Sequence, residues 1–130
     1  MTENHGVVWW NELNTRDPQA AMDYYGKTLG WSFDEMEMAG GGTYYVAMHG
    51  GKTTAGVYDM SADAFLDGVP AHWFTYFAVD DIDATIKVSD QAKGSVRRAA
   101  MDIPGVGRMA IMVDPSGAVM GMMTPECETD

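Results

Sequence analysis

The chain has 130 residues, of which 46% are hydrophobic, and a formal net charge of -11 at pH 7. This length favours a single domain with a core that needs no disulfides. The acidity argues against nucleic acid and anionic membranes as partners, because like charges repel. Cys127 has no second cysteine to pair with, so we expect a cytoplasmic location. We find no signal-peptide pattern and no apolar stretch long enough to span a bilayer.

The first half of the chain predicts a strand, a helix and three further strands. Val7 to Leu13 is rich in β-branched and aromatic residues, as strands are. Asp17 and Pro18 are typical of a helix start, and Gly30 of a helix end. The residues of this helix that we expect to pack against the sheet are Ala21, Tyr24, Tyr25, Thr28 and Leu29. Further strands are predicted over Trp31–Met38, Thr43–His49 and Thr53–Met60.

The second half repeats this order after a linker at residues 61–70. A strand is predicted at His72–Val79, and a helix at Asp81–Lys93 ends at Gly94. Strands at Val96–Met101, Arg108–Val113 and Ala118–Met123 follow. Module one therefore covers about residues 6–60, module two about 71–125, and a polar tail 126–130.

The two halves align as an internal repeat. Asp17 matches Asp81, and after one insertion Gly56 matches Gly121. The pattern predicts an α+β fold of two tandem β-α-β-β-β modules. We expect them to form a curved mixed sheet around a concave site, with the helices outside.

Several short motifs carry a resemblance to a known group. These are the Asp-Pro helix start, the Tyr-Tyr pair within that helix, its Leu-Gly-Trp end, Val-Asp-Asp-Ile-Asp after the fifth strand and Asp-Pro-Ser-Gly-Ala before the last. Together they resemble the vicinal oxygen chelate superfamily, which comprises glyoxalase I, bleomycin- and fosfomycin-resistance proteins and extradiol dioxygenases. The resemblance covers about Gly6 to Pro125.

The resemblance also identifies the positions where metal-dependent members hold a divalent ion with His, Gln or Glu. They are Trp10, Gly56, Phe74 and Gly121, and none of these side chains can bind a metal. The resemblance therefore implies a member that lacks the usual metal ligands, and we predict no cofactor. A divalent metal held by Glu12 and His72 remains the alternative, although two ligands are few for tight binding.

Strand alternation defines a candidate pocket on the face of Trp10 and Phe74. The predicted ligand-binding residues are Trp10, Glu12, Asn14, Tyr45, Tyr58, His72, Phe74, Tyr76 and Arg108. Ala47, Ala110, Met112, Thr54, Val119 and Met123 are expected beside them. Such an apolar surface with few polar groups is typical of small-molecule sites. The competing interpretation is that Trp10 and Phe74 fill the space and leave only core.

Three polar residues have two interpretations each. Glu12 is either a structural partner of Arg108 or a tyrosine hydroxyl, or a ligand-orienting group or general base whose pKa is raised by burial. Arg108 either holds an anionic ligand group or lies at the rim in solvent. His72 is either a structural histidine or a proton shuttle. Trp9, Trp31 and Trp73 are expected in the core on the helix side.

The functional prediction is a metal-free small-molecule-binding protein, similar to the antibiotic-binding resistance branch, that holds an apolar or aromatic metabolite or drug between the modules. One alternative is a metal-dependent lyase, isomerase or dioxygenase with displaced ligands. Another is a cofactor-free isomerase or lyase that uses Glu12 and His72 as acid and base. A non-catalytic interaction module is the remaining possibility. A homodimer is the expected assembly, with no nucleic-acid or membrane partner.

Overall fold

The computed structural model describes residues 3–38 and 41–126, so Cys127 and most of the predicted tail lie outside the described residues. The fold is α+β and contains two β-α-β-β-β modules in tandem, as predicted. The first module has β1 (Val8–Thr15), α1 (Pro18–Leu29), β2 (Ser32–Glu37), β3 (Thr43–His49) and β4 (Lys52–Asp59). A 3₁₀ turn (Ala64–Leu66) lies in the linker. The second module has β5 (His72–Ala78), α2 (Ile82–Gln91), β6 (Ser95–Ile103), β7 (Gly107–Val113) and β8 (Val119–Pro125).

The chain forms two compact units. The first unit contains residues 10–74, and the second contains residues 1–9 and 75–130. The first unit therefore holds the first module from Trp10 onward, the linker and the start of β5. No helix among the described residues is long and apolar enough to cross a membrane.

In the first unit, β1 pairs with β4 in parallel, while β3 pairs with both β4 and β2 in antiparallel fashion. Glu12 lies opposite Gly56, and Tyr44 lies opposite Tyr58. Residues directly opposite each other in a sheet point to the same face. This register decides which side chains meet at the site.

In the second unit, β5 pairs with β8 in parallel, and β7 lies between β8 and β6 in antiparallel pairs. Tyr76 lies opposite Gly121. Ala110 and Met112 of β7 are almost fully buried, and they pack with Val79 and with Ile82 of α2. The even-numbered residues of β7 therefore face the helix.

The helices begin and end largely where the sequence predicts. They begin at a capping aspartate, and α1 ends at a glycine. Asp17 Oδ1 accepts a hydrogen bond from the Ala20 backbone N–H at 3.0 Å, and Gly30 has the left-handed conformation of a C-terminal cap (φ 75°). Asp81 caps α2 by the same mechanism. The predicted end of α2 is wrong, because the helix stops at Gln91 and the left-handed residue is Lys93 (φ 68°).

The predicted packing of α1 also needs correction. Tyr24 and Leu29 are 60% and 47% exposed, and Thr28 is exposed too. The half-buried residues of α1 are Pro18, Ala21, Met22, Tyr25 and Gly26. Ala21 and Tyr25 therefore lie as predicted, whereas Met22 and Gly26 replace Tyr24, Thr28 and Leu29 in the stripe.

The tryptophans expected in the core lie nearer the surface. Trp9 and Trp73 are 42% and 40% exposed, and Trp31 is half-buried. The Tyr25 ring stacks on Trp31 with ring centroids 5.5 Å apart, and its hydroxyl accepts a hydrogen bond from Trp73 Nε1–H at 3.0 Å. Large aromatic residues with a polar atom often keep one edge in water.

Candidate functional site

One face of the first unit brings together four of the nine predicted ligand-binding residues. We call it the Trp10 face, and it consists of Trp10, Glu12 and Asn14 of β1, Tyr44 of β3, and Gly56 and Tyr58 of β4. Strand alternation places the three β1 residues on one side, and the β-sheet register adds the others. Asn14 is buried, whereas Trp10, Glu12, Tyr44 and Tyr58 are half-buried.

At the centre of this face, Trp10 Nε1–H donates a hydrogen bond of 2.9 Å to the Tyr44 hydroxyl. Both side chains lie over Gly56. A Cβ atom added to Gly56 would overlap the Tyr44 hydroxyl and would lie 2.9 Å from Trp10 Nε1. The space that a last-strand side chain would need is therefore filled by an aromatic pair.

The second unit has the same arrangement at the matching position. The ring of Tyr76 lies over Gly121, and a Cβ atom there would overlap the ring. Tyr76 is 9% exposed. In both units, an aromatic side chain thus covers the glycine at the position of the last-strand metal ligand.

The residues present do not fit a divalent metal. Trp10, Gly56, Phe74 and Gly121 offer no ligand atom, and the covered glycines leave no room for one. Within residues 3–38 and 41–126, no group of three or more His, Cys, Asp or Glu side chains converges as a metal site would require.

His72 is held by two hydrogen bonds, one at each ring nitrogen. Nδ1 lies 2.8 Å from the Pro70 carbonyl oxygen, which can only accept, so Nδ1 carries the proton. Nε2 lies 3.2 Å from Asn14 Nδ2 and accepts its hydrogen. Both ring nitrogens of His72 therefore have a hydrogen-bond partner, as the structural interpretation of this histidine expects. Its ring also contacts Phe74, with centroids 6.2 Å apart.

Two predicted site residues belong to the opposite faces of their sheets. Tyr45 lies opposite Val57 and therefore points away from the Trp10 face. Tyr44 lies on the Trp10 face, where the sequence predicted Tyr45. Arg108 shares the helix-facing side of β7 with Ala110 and Met112. Both errors have one cause, because β3 and β7 were assigned the wrong alternation phase.

Arg108 is instead part of an ion-pair cluster with α2 and β6. Its Nε and Nη2 donate to the two carboxylate oxygens of Asp83 at 2.9 and 3.1 Å, and Nη1 donates to Asp102 at 3.3 Å. The hydrogen bond from Arg108 holds the pKa of Asp83 below its usual value, and the same contact raises the pKa of Arg108. Arg108 therefore does not pair with Glu12.

Two cavities lie near these side chains, one in each unit. One of about 220 Å³ lies beside Arg16, Met60 and Asp63 in the first unit, and Asp63 accepts a hydrogen bond of 2.9 Å from the Tyr58 hydroxyl. The other, of about 360 Å³, lies beside Arg108 in the second unit.

Tyr44 and Asp63 were not predicted from the sequence as site residues. Tyr44 was hidden by its neighbour Tyr45, and Asp63 lies in the linker, where no periodic pattern exists.

The model of the Glyoxalase/Bleomycin resistance protein/Dioxygenase superfamily matches residues 6–120. The chain belongs to this superfamily. The resemblance inferred from the sequence motifs is thus confirmed.

Curated relatives of this superfamily member carry different names. "Putative glyoxylase CFP32" of Mycobacterium tuberculosis is 39% identical over 125 residues, which are 96% of this chain and 46% of that protein. "Anthracycline biosynthesis protein DnrV" of Streptomyces peucetius is 34% identical over 127 residues, 90% of this chain and 46% of that protein. The chain spans about half the length of these relatives.

Solved structures agree in fold at low identity. Methylmalonyl-CoA epimerase of Streptomyces coelicolor, in complex with 2-nitronate-propionyl-CoA, has a TM-score of 0.70 at 13% identity and covers 96% of this chain and 100% of its own. A hypothetical protein of Bacillus halodurans has a TM-score of 0.73 at 9% identity, with 95% and 96% covered. These similarities show the fold alone.

Proposed function

We propose that the chain binds a small apolar or aromatic molecule through the Trp10 face, without a metal. The observation that supports this best is the Trp10–Tyr44 pair over Gly56, which turns a metal-ligand position into an aromatic wall. An apolar surface with a few fixed polar groups is what small-molecule sites require. Glu12 and Asn14 supply such groups on the same strand.

Two of the comparison proteins are connected with organic small molecules by their names. The epimerase structures contain a CoA derivative, and one curated relative is named for anthracycline biosynthesis. Those ligands and pathways belong to those proteins. What we propose for this superfamily member is the shared feature, a small organic ligand, and neither a metal-dependent reaction nor acid–base catalysis by Glu12 and His72.

Toluene is a suitable first probe because it tests only apolar contact. The experiment is a titration monitored by the indole N–H resonances of the ¹⁵N-labelled protein. We expect a saturable shift of the Trp10 resonance. Substituting Trp10→Leu should weaken toluene binding about tenfold, since an aromatic contact of roughly 1.4 kcal/mol is lost.

Trp9→Leu is the matched control, because Trp9 is the neighbouring residue on the opposite face of β1 and is 42% exposed. This variant should bind toluene as the wild type does. Shifts that never saturate, or that are lost equally in both variants, would rule out the Trp10 face as the site.

A homodimer in the cytoplasm is the state that we propose for this ligand-binding form. Light scattering on the purified protein tests the assembly, and a monomer mass at micromolar concentration would contradict it. Fractionation of the producing cells tests the location.

A further inference from the structure

An aromatic cluster on the surface of the first unit shares no residue with the Trp10 face. It consists of five rings in mutual contact, namely Tyr24, Tyr25, Trp31, Phe33 and Trp73. Tyr25 is at its centre, with ring centroids 5.1 Å from Tyr24 and 5.4 Å from Trp73. Tyr24 and Trp73 are 60% and 40% exposed. Exposed aromatic groups of this kind are typical of surfaces that bind another protein.

Helix α1 presents Tyr24 to solvent beside two charged residues. Asp23 and Lys27 are the two charged side chains of α1, and they form a surface ion pair of 3.1 Å one turn apart. Such a pair contributes little to the stability of the folded chain. Its charges cancel, whereas the whole chain has a formal net charge of -11. Two copies of this acidic protein can therefore meet at α1 without the repulsion that the rest of the surface imposes.

The order of the two charges suits a second copy of the same helix. A two-fold axis that passes between Asp23 and Lys27 brings two α1 helices together in antiparallel fashion. Asp23 of each copy then lies opposite the partner's Lys27, and this contact occurs twice. Tyr24 is exposed and follows Asp23 in sequence, so it packs close to the axis. The surface is thus complementary to itself in charge and has an aromatic centre.

We propose that α1 and the aromatic cluster form the contact surface between two copies of this chain, with Asp23 of each copy paired to the partner's Lys27. This surface rests on the homodimer of the proposed function and is independent of the ligand that the Trp10 face binds. A cationic partner would find no excess of negative charge on α1, which is why a second copy fits better. Aromatic residues at the centre and charged residues at the rim are the usual composition of such interfaces.

Two charge reversals and their mixture test the pairing by analytical ultracentrifugation at micromolar concentration. In Asp23→Lys each contact joins two lysines, and in Lys27→Asp it joins two aspartates. The dissociation constant of either homodimer should therefore rise about tenfold or more. An equimolar mixture of the two variants should restore the dimer, because every contact then joins opposite charges.

Two substitutions on α2 are the matched controls for these reversals. Lys87→Asp and Asp90→Lys make the same changes of net charge at exposed positions of the other helix. Both should dimerise as the wild type does. Their behaviour separates a specific contact at α1 from a general effect of net charge on association.

The aromatic centre has a test of its own. Tyr24→Ser should raise the dissociation constant of the dimer about tenfold, because exposed aromatic residues often contribute most of the binding energy of an interface. Val88→Ser is the control, since Val88 occupies the position of α2 that matches Tyr24 in the internal repeat and is 61% exposed. The Val88 variant should leave the dissociation constant unchanged.

The possible failures are distinguishable. A monomeric wild type would overturn this surface together with the proposed homodimer, whereas the toluene titration tests ligand binding by the Trp10 face separately. A dimer that withstands Asp23→Lys, Lys27→Asp and Tyr24→Ser would overturn this surface alone. Charge-reversal variants that dissociate but do not combine on mixing would overturn the antiparallel pairing.

Discussion

At Gly56, the missing side chain is what allows the Tyr44 hydroxyl to lie next to the backbone and to accept the Trp10 hydrogen bond. Gly121 allows the same close approach by the ring of Tyr76. Glycine is the residue that permits such contact, since any Cβ atom would occupy the space. Neither glycine has a positive φ, so steric space and not backbone conformation accounts for its presence.

Substitution of Gly56 or Gly121 should lower the free energy of unfolding, by an amount that depends on the aromatic side chain above the glycine. Gly56→Ala should lower the free energy of unfolding by about 1–3 kcal/mol, as overpacking does. In the Tyr44→Ala background the same change should cost much less, because the two atoms nearest the added Cβ both belong to Tyr44. Urea denaturation of the four proteins of this cycle measures the coupling. Additive effects would show that Tyr44 does not lie over Gly56.

The sequence predicted the sheet face of some candidate residues correctly and that of others incorrectly, for a definite reason. Trp10, Glu12, Asn14 and Tyr58 were assigned to one face, because β1 and β4 alternate without interruption. Tyr45 and Arg108 were assigned to the wrong faces. In β3, Tyr44 and Tyr45 are the same residue type, so alternation cannot show which of them lies on the Trp10 face until the strand register is known.

At the scale of helices and strands, local chemistry made most boundaries predictable. The Asp17 cap, Pro18 and Gly30 define α1 through contacts within a few residues. The buried stripe of α1 depends instead on the sheet beneath it, which the helix sequence does not contain. Bulges near Arg98 in β6 and after Ala47 in β3 likewise depend on the paired strand.

Two glycines of α1 should respond to alanine with opposite signs. Gly30 has a φ of 75°, so Gly30→Ala should lower the free energy of unfolding by about 1 kcal/mol. Gly26 lies inside the helix, and an added Cβ would make only an ordinary contact of 3.4 Å with the Trp31 carbonyl oxygen. Gly26→Ala should therefore stabilise by roughly 0.5–1 kcal/mol. Thermal denaturation compares them, and equal signs would contradict the cap assignment.

The Asp83–Arg108 pair links α2 to β7 and should make stability depend on pH. The folded-state pKa of Asp83 is lowered by the Arg108 hydrogen bond, so the ionised form stabilises the fold above the unfolded pKa of about 3.9. This contribution is lost as pH falls through the lower folded pKa.

The Asp83→Asn variant should therefore lose less stability than the wild type between about pH 5 and pH 3. Asp90→Asn, on the same helix, is the control and should follow the wild-type curve. Urea midpoints at each pH provide the measurement. A wild-type slope unchanged by Asp83→Asn would show that the pair contributes nothing.

For the molecule as a whole, the repeat carries the most information. Family and fold class followed from the matched motifs of the two modules, and the family match over residues 6–120 confirms them. Function did not follow in the same way, because the metal-ligand positions hold tryptophan, phenylalanine and two glycines. The same fold thus supports unrelated activities, and only the site distinguishes them.

The whole protein should show no stoichiometric divalent metal. After incubation with zinc, nickel or manganese and removal of free ions by dialysis, we expect less than about 0.1 equivalents by elemental analysis, since no ligand set of the required kind converges in the part of the chain that the structure describes. The melting temperature should not rise with added metal, because only a bound ion stabilises the native state. One equivalent of metal with a raised melting temperature would refute the metal-free proposal.

The covered glycines also restrict how this chain could change over evolution or in the laboratory. A carboxylate introduced at Gly56 or Gly121 meets an aromatic side chain, so the gain of a ligand first weakens the protein. Removal of Tyr44 or Tyr76 alone opens a void and creates no ligand. A metal ligand thus requires two substitutions in each module, one of the glycine and one of the tyrosine. Whichever comes first, the single variant is less stable than the present protein. The aromatic side chains over Gly56 and Gly121 therefore make the gain of a metal ligand by single substitutions unfavourable.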